Sequence, residues 1–391
     1  MIPFYAEELG NINIVRATIL AEPEYDVAKQ LQVTDNQLIL DPETKIDLST
    51  VGLSISSQDW IVSRVDQPTD GLVPWEVKLS QCRQAQQPRS QQTEVKEWWS
   101  TSVLRELSEF QCKVCAQPLF LKDKEYKLKD LPSEHWYELV ECWICHETKP
   151  EEHQARMRPI LARPTVLLVG STYFLLHPDD MIANSIQMDK VVADRLNWER
   201  GTMTKWSAIN CSHCQQAVGE GQYCIENDQI QLLAVKLFKY SISILPNLQE
   251  QPGFIDFFVS DLISTAKIHA THKFLIQGRQ STRHFALIWL FNWDTSIIYN
   301  SNKETLKKER VIKITYLDCT NDKDEHVAKS IQLWSNDRSA DQLVYPDVYC
   351  NQLLESLKES TLILPSFMRQ MNHPAMPFVR NFSVGFIPRR S

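Results

Sequence analysis

The stretch from Phe110 to His153, FQCKVCAQPLFLKDKEYKLKDLPSEHWYELVECWICHETKPEEH, decides how this chain is read. It holds four of the ten cysteines, Cys112, Cys115, Cys142 and Cys145, and three of the ten histidines. Cys112 and Cys115 have the CxxC spacing that lets two thiolates on one tight turn grip a tetrahedral ion. A matching pair, Cys211 and Cys214, lies well downstream in INCSHCQQAVGE. Two distant CxxC pairs are a common way to assemble a four-cysteine zinc site, each pair supplying one knuckle. Each pair is followed by residues suited to a turn and a returning strand, AQPLF after the first and QQAVGE with Gly219 after the second. The expectation is a structural zinc held by Cys112, Cys115, Cys211 and Cys214. A redox role would need a thioredoxin-like βαβ pattern, and neither pair sits in one.

That assignment leaves Cys142, Cys145 and His146 unspent. They suit a second internal zinc site completed by His135, His153 or Cys82, or an exposed tip whose thiolate and imidazole coordinate a metal belonging to another protein. They equally suit a buried cysteine beside a surface histidine. His269 and His272 have no carboxylate or third histidine near them in sequence and read as surface residues.

The chain has 391 residues, enough for about two or three domains with a sizeable core. Hydrophobic content of 43% and charged content of 23% are those of an ordinary globular protein. A formal net charge of -8 argues against direct nucleic-acid binding, which needs clustered Lys and Arg. The Arg389–Arg390 pair reads as a short basic tail, too small to alter that. No apolar run is long enough for a membrane span, and MIPFYAEELGNINIV lacks the basic head and apolar middle of a secretion signal. A reducing compartment is therefore expected, in which cysteines serve as metal ligands or reactive thiols rather than disulfides.

Working outward, residues 1–82 carry short apolar runs such as INIVRATIL, NQLILD and WEVKLS, broken by turn residues, which predict a β-rich N-terminal lobe. Residues 83–97 are Gln-rich and polar and read as a linker. Residues 98–220 form the zinc-knuckle region, with an amphipathic helix expected in EWWSTSVLRELSEF and a second in PSEHWYELVECWICH behind Ser133 as N-cap. TVLLVGSTYFLLH reads as a strand pair turning at Gly170 and Ser171. Residues 221–391 predict a mixed α/β lobe. It holds strands in QIQLLAVKLFKYSISIL, a helix starting near Pro252, a hairpin in KFLIQGRQSTRHFALIWLFNWDTSIIY, strands at ITYLDC and SIQLWS, and a closing helix in DVYCNQLLESLKES. The fold class is thus α+β: a β-rich lobe, a zinc-stapled centre and a mixed lobe.

These residues also carry a resemblance. The Cys112–Cys115 knuckle, the block LPSEHWYELVECWICH, the Cys211–Cys214 knuckle, FLIQG followed by ALIWLFNWD, and LPSFMRQMN make the chain resemble the HECT-like, ubiquitin-conjugating-enzyme-binding family, from about residue 108 to 375. The resemblance implies a ubiquitin-protein transferase that accepts ubiquitin from a conjugating enzyme and acts in cytoplasm and nucleus. It also implies association with the metallo-β-lactamase-type endonuclease of pre-mRNA 3′-end processing and polyadenylation, which family members bind and inhibit at its active site. The matching segment here is Leu131 to His146, with Cys145 and His146 at the positions that reach the partner's zinc. Pro132, Trp136 and Trp143 are suited to anchor such a plug, with Cys142 beside them. The sequence departs from the family pattern at Ile144, where a cysteine directly precedes the one at 145.

Thioester transfer needs a reachable thiolate. The candidates are Cys145 beside His146, Cys224, Cys319 and Cys350, the last near a helix N-terminus whose dipole favours a thiolate. Cys350 reads equally as a core residue of that helix. No orthodox HECT catalytic signature is present, so an adaptor or chaperone for the endonuclease without ligase activity is the alternative.

Overall fold

The computed structural model describes residues 3–10, 12–67, 71–82, 96–131, 161–193, 204–226, 229–248, 250–301, 305–321, 323–372 and 375–390. Within them the protein is rich in strands and poor in helix. The first part of the chain gives β1 (Phe4–Leu9), β2 (Ile14–Ala21), β3 (Gln32–Val33), β4 (Gln37–Ile39), β5 (Lys45–Asp47), β6 (Ile55–Arg64) and β7 (Val73–Gln81). The middle gives β8 (Glu109–Cys112), β9 (Pro118–Leu121), β10 (Lys127–Asp130), β11 (Val166–Val169), β12 (Tyr173–Leu176) and β13 (Ile186–Met188). It continues with β14 (Thr204–Cys211), β15 (Ala217–Glu226), β16 (Gln229–Phe238), β17 (Ile242–Leu245) and helix α1 (Phe254–His269). The last part gives β18 (Lys273–Gly278), β19 (His284–Ser301), β20 (Thr305–Asp318), α2 (Glu325–Ser335), β21 (Ala340–Tyr345), α3 (Asp347–Thr361), β22 (Gln370–Met371) and β23 (Phe382–Pro388).

Two compact units result. One comprises residues 1–95, 271–278 and 283–391; the other comprises 96–270 with 279–282. In the first, a ten-stranded sheet runs β22-β23-β20-β19-β1-β2-β7-β6, with β18 added beside β19 and β21 beside β18. The eighteen-residue β19 makes this possible. Its early residues pair with β18, as in Leu275 with Leu287, and its later ones with β1, as in Tyr5 with Tyr299, with register shifts between. Val15, Ala17, Ile19, Val77 and Leu79 alternate inward from β2 and β7 and are fully buried, as the two-residue strand period requires. Arg389 is no free tail: it is 6% exposed, donates to the Trp293 carbonyl at 2.8 Å and faces Asp294, which Arg310 grips through two bonds of 2.6 and 2.9 Å.

The second unit holds a seven-stranded sheet, β10-β11-β12-β16-β15-β14-β13, and a three-stranded sheet, β17-β8-β9. The β11–β12 pair turns at Gly170 and Ser171 as the sequence predicts. Helix α1 starts behind Gly253, whose amide is held by the Asp256 carboxylate at 2.7 Å. Phe110 stacks on Phe174 with ring centres 4.6 Å apart and tilts against Phe120, so an aromatic seam joins the two sheets within this unit.

Two local expectations are corrected. Residues 98–107 are a set of turns, not an amphipathic helix. Trp99 sits at φ 53°, which ends any helical run, and what forms instead is a pair of turns, with the amides of Val103 and Leu104 on the Ser100 carbonyl and that of Leu107 on the Leu104 carbonyl. The carbonyls of Trp98 and Trp99 instead accept from the fully buried ammonium of Lys239, at 2.8 and 3.2 Å. The segment SIQLWS is the end of helix α2, not a strand. Asp324 caps that helix by accepting from the amides of His326 and Val327, and Val327, Ile331 and Trp334 fall on one face at helical spacing against Leu275, Leu287 and Phe382. The helix expected in PSEHWYELVECWICH lies outside the described residues.

Candidate metal centre

The two knuckles are built alike. Cys112 ends β8 and Cys211 ends β14, each at the tip of a hairpin. In the first, the Ala116 amide donates to the Cys112 carbonyl at 2.9 Å and the Cys112 amide to the Gln117 carbonyl at 2.8 Å. In the second, the Gln215 amide donates to the Cys211 carbonyl at 2.9 Å and the Cys211 amide to the Gln216 carbonyl at 2.8 Å. The residue after the second cysteine of each pair is left-handed, Ala116 at φ 57° and Gln215 at φ 63°. A non-glycine residue pays about 1–2 kcal/mol for that conformation. The turn it closes aims the amides of Val114 and Cys115 at the Cys112 sulfur. The tips are pinned to the body of the unit: the Lys113 amide donates to the Ser241 carbonyl at 3.1 Å, and the Ser212 hydroxyl to the Asn184 carbonyl at 2.6 Å.

The four sulfurs converge. All lie within 4.8 Å of one another, with Cys112 Sγ 3.6 Å from Cys214 Sγ and Cys115 Sγ 3.6 Å from Cys211 Sγ. A tetrahedral ion with metal–sulfur bonds of about 2.3 Å sets its ligands about 3.8 Å apart, so the 3.6 Å edges match such a cage with little adjustment. Cys112 and Cys211 are buried, while Cys115 and Cys214 are partly exposed. Without an ion the arrangement is costly to ionise: burial, with a smaller push from the neighbouring Cys214 and Cys211, raises the Cys112 thiol to about 12. A bound divalent cation inverts that, because its charge holds the ligands as thiolates. An ion held by all four sulfurs would have no open position for water or substrate. Among the described residues this is the group of side chains suited to a metal.

The other thiols are placed as follows. Cys350, expected as an acceptor of ubiquitin, is 1% exposed on α3, with its sulfur 3.5 Å from the Tyr345 carbonyl and 3.6 Å from that of Gln277. Its position matches the core reading of that helix, since thioester exchange requires the sulfur to meet an incoming carbonyl. Cys319 is buried and its thiol is pushed up to about 12 by that burial, so it stays protonated. Cys224 is partly exposed and Cys82 exposed. Pro132, Trp136, Cys142, Trp143, Cys145 and His146 lie outside the described residues, as do His135 and His153. The sequence reading missed Ala116 and Gln215: glycine is the usual signal for a left-handed turn position, and neither knuckle carries one there.

The model of the HECT-like ubiquitin-conjugating enzyme (E2)-binding family matches residues 7–375. The chain belongs to this family. Among curated relatives, an E3 ubiquitin-protein ligase of Pongo abelii is 26% identical over 302 residues, covering 71% of this chain and 73% of the relative. The E3 ubiquitin-protein ligase of the same name in Homo sapiens is 24% identical over 313 residues, covering 72% and 74%. An uncharacterised protein of Saccharomyces cerevisiae is 23% identical over 282 residues, covering 70% of each chain. No solved structure matches the chain significantly.

Proposed function

We propose that this chain binds a ubiquitin-conjugating enzyme and promotes ubiquitin transfer, on a scaffold stapled by a structural zinc ion at Cys112, Cys115, Cys211 and Cys214. The observation that carries the reading is the E2-binding family match across residues 7–375. The thiolate set supports zinc as the ion, since soft sulfur ligands in a closed tetrahedron suit it. A covalent ubiquitin intermediate would fall to Cys145, or to the partly exposed Cys224, because Cys319 and Cys350 are enclosed. The test is to charge a panel of conjugating enzymes with ubiquitin, add the full chain, and follow both discharge and any thiol-sensitive adduct. Accelerated discharge supports the reading. A chain that neither binds nor discharges any charged conjugating enzyme overturns it in favour of an adaptor or chaperone without ligase activity.

A second role is proposed beside it: the chain binds and inhibits the metallo-β-lactamase-type endonuclease of pre-mRNA 3′-end processing, with Cys145 or His146 taking the vacant position on that enzyme's zinc. What favours it is the cysteine accounting, in which the knuckles complete a four-sulfur set without drawing on Cys142, Cys145 or His146. Such a role places the protein in the nucleus as well as the cytoplasm. Cys145→Ala should abolish inhibition of the purified nuclease, and undiminished inhibition removes the metal-plug idea.

A further inference from the structure

The motif LPSFMRQMN is used by neither the metal centre nor the proposed function. Its residues Leu364, Pro365, Ser366 and Arg369 line a cavity of about 400 Å³ in the first unit, beside the C-terminal end of α3. Phe4, Leu20 and Ile363 add apolar wall. Arg369 is held in place by two backbone carbonyls: its Nε donates to that of Leu364 at 2.9 Å and its Nη2 to that of Leu362 at 3.5 Å. Its guanidinium makes no ion pair among the described residues, and Nη1 has both its N–H groups left to offer. A guanidinium on the wall of a cavity that is part apolar and part polar is complementary to a carboxylate carried on an apolar group.

The backbone around the cavity narrows the choice further. The Phe4 amide is taken by Asn300 Oδ1 at 3.0 Å, the Pro3 carbonyl by the Leu20 amide at 3.2 Å, and β1 is flanked by β2 and β19. Among the described residues around the cavity no strand edge is open for an extended internal segment, whose own amides and carbonyls would enter unpaired at a cost of about 1–3 kcal/mol each. A chain end brings its own carboxylate and much less backbone. Glu359 is exposed and also lines the cavity, so a dianion such as a phosphate would be repelled where a single carboxylate is tolerated.

We propose that this cavity captures the carboxyl-terminal residue of a partner protein, with an apolar side chain against Phe4, Leu20 and Ile363 and its α-carboxylate on Arg369. The site is independent of the metal centre and of ubiquitin transfer. The experiment is fluorescence anisotropy of the full chain with fluorescein-labelled Gly-Ser-Gly-Leu as the free acid, the same peptide as its C-terminal amide, and an amidated peptide with an internal Leu-Asp. The free acid should bind roughly tenfold or more tightly than either amide, which is the scale of a charge-assisted pair. Arg369→Gln should remove that preference, Glu359→Gln should strengthen binding, and Ser366→Trp, which fills the cavity from its rim, should block binding with the melting temperature unchanged. Ser366→Trp decides alone if Arg369→Gln lowers that temperature. Equal binding of acid and amide, better binding of the internal acid, binding unaffected by Ser366→Trp, or no binding of any peptide would overturn the proposal.

Discussion

Replacing Cys214 by serine tests the staple most directly. This sulfur is partly exposed, so the hydroxyl can remain hydrated and the substitution strands no polar group in the core. A neutral serine is not a zinc ligand, and three thiolates remain. Thiolate-rich zinc sites bind with about 10–16 kcal/mol, so one ligand's share is about 2.5–4 kcal/mol and the affinity should fall by roughly two to three orders of magnitude. The sign of the pH dependence follows from Cys112. Burial holds its thiol at about 12 without metal, so binding an ion at neutral pH expels a proton. Occupancy should therefore weaken as pH falls, by up to roughly tenfold per unit for each thiol protonated in the metal-free state. Zinc per chain, measured by mass spectrometry after dialysis against a competing chelator, should be one for the parent and near zero for Cys214→Ser. Cobalt added to the metal-free parent should give thiolate charge-transfer and tetrahedral bands that the variant loses. A parent that retains no zinc and takes up no cobalt refutes the site, and a variant that retains zinc with unchanged affinity refutes the four-sulfur geometry.

Three further outcomes follow from local geometry. Gly219 in β15 faces the Lys236 carbonyl so closely that a Cβ would lie 1.8 Å from its oxygen, so Gly219→Ala must push β15 off β16. The expected loss is about 3 kcal/mol or more, read as a lower urea midpoint, and a midpoint equal to the parent's contradicts the close approach. Asp324→Ala removes the cap of α2 and should cost about 1 kcal/mol, recoverable with Asn or Ser. Burial lowers the pKa of half-buried His284, so the folded protein keeps it neutral while the unfolded chain protonates near about 6.5. Its contribution is complete above that pH and is lost as pH falls below it. His284→Gln should flatten this part of the stability profile between neutral and mildly acidic pH, and an unchanged slope would exclude the residue as its source.

The features legible in the sequence are those whose cause is local. Two CxxC pairs name their own chemistry, and the structure brings their sulfurs together across two hairpins. The two apolar runs in KFLIQG and FALIWL, parted by a polar break, give the β18–β19 hairpin, and DVYCNQLLESLKES gives α3. The partner of a strand is not local information: nothing in FYAEEL says that it will pair with residues of β19, because the apolar faces of many strands would bury equally well against it.

The two misread segments show the same limit from the other side. In SIQLWS a six-residue window alternates like a strand, and only the longer run from Asp324 shows Val327, Ile331 and Trp334 on one helical face. In WWSTSVLREL the apolar spacing suits a helix, and Trp98, Leu104 and Leu107 are indeed buried. What the periodicity lacks is Lys239, far along the chain. A fully buried ammonium must find acceptors, since its desolvation without them costs several kcal/mol. The carbonyls of Trp98 and Trp99 serve it only if they are not committed to a helix. A few tenths of a kcal/mol of helix propensity per residue cannot outweigh that need. The turn at Trp99 is thus set by a lysine in the short turn after β16, and replacing Lys239 by methionine should free the segment to wind into the helix its own pattern favours, visible as added helical circular dichroism.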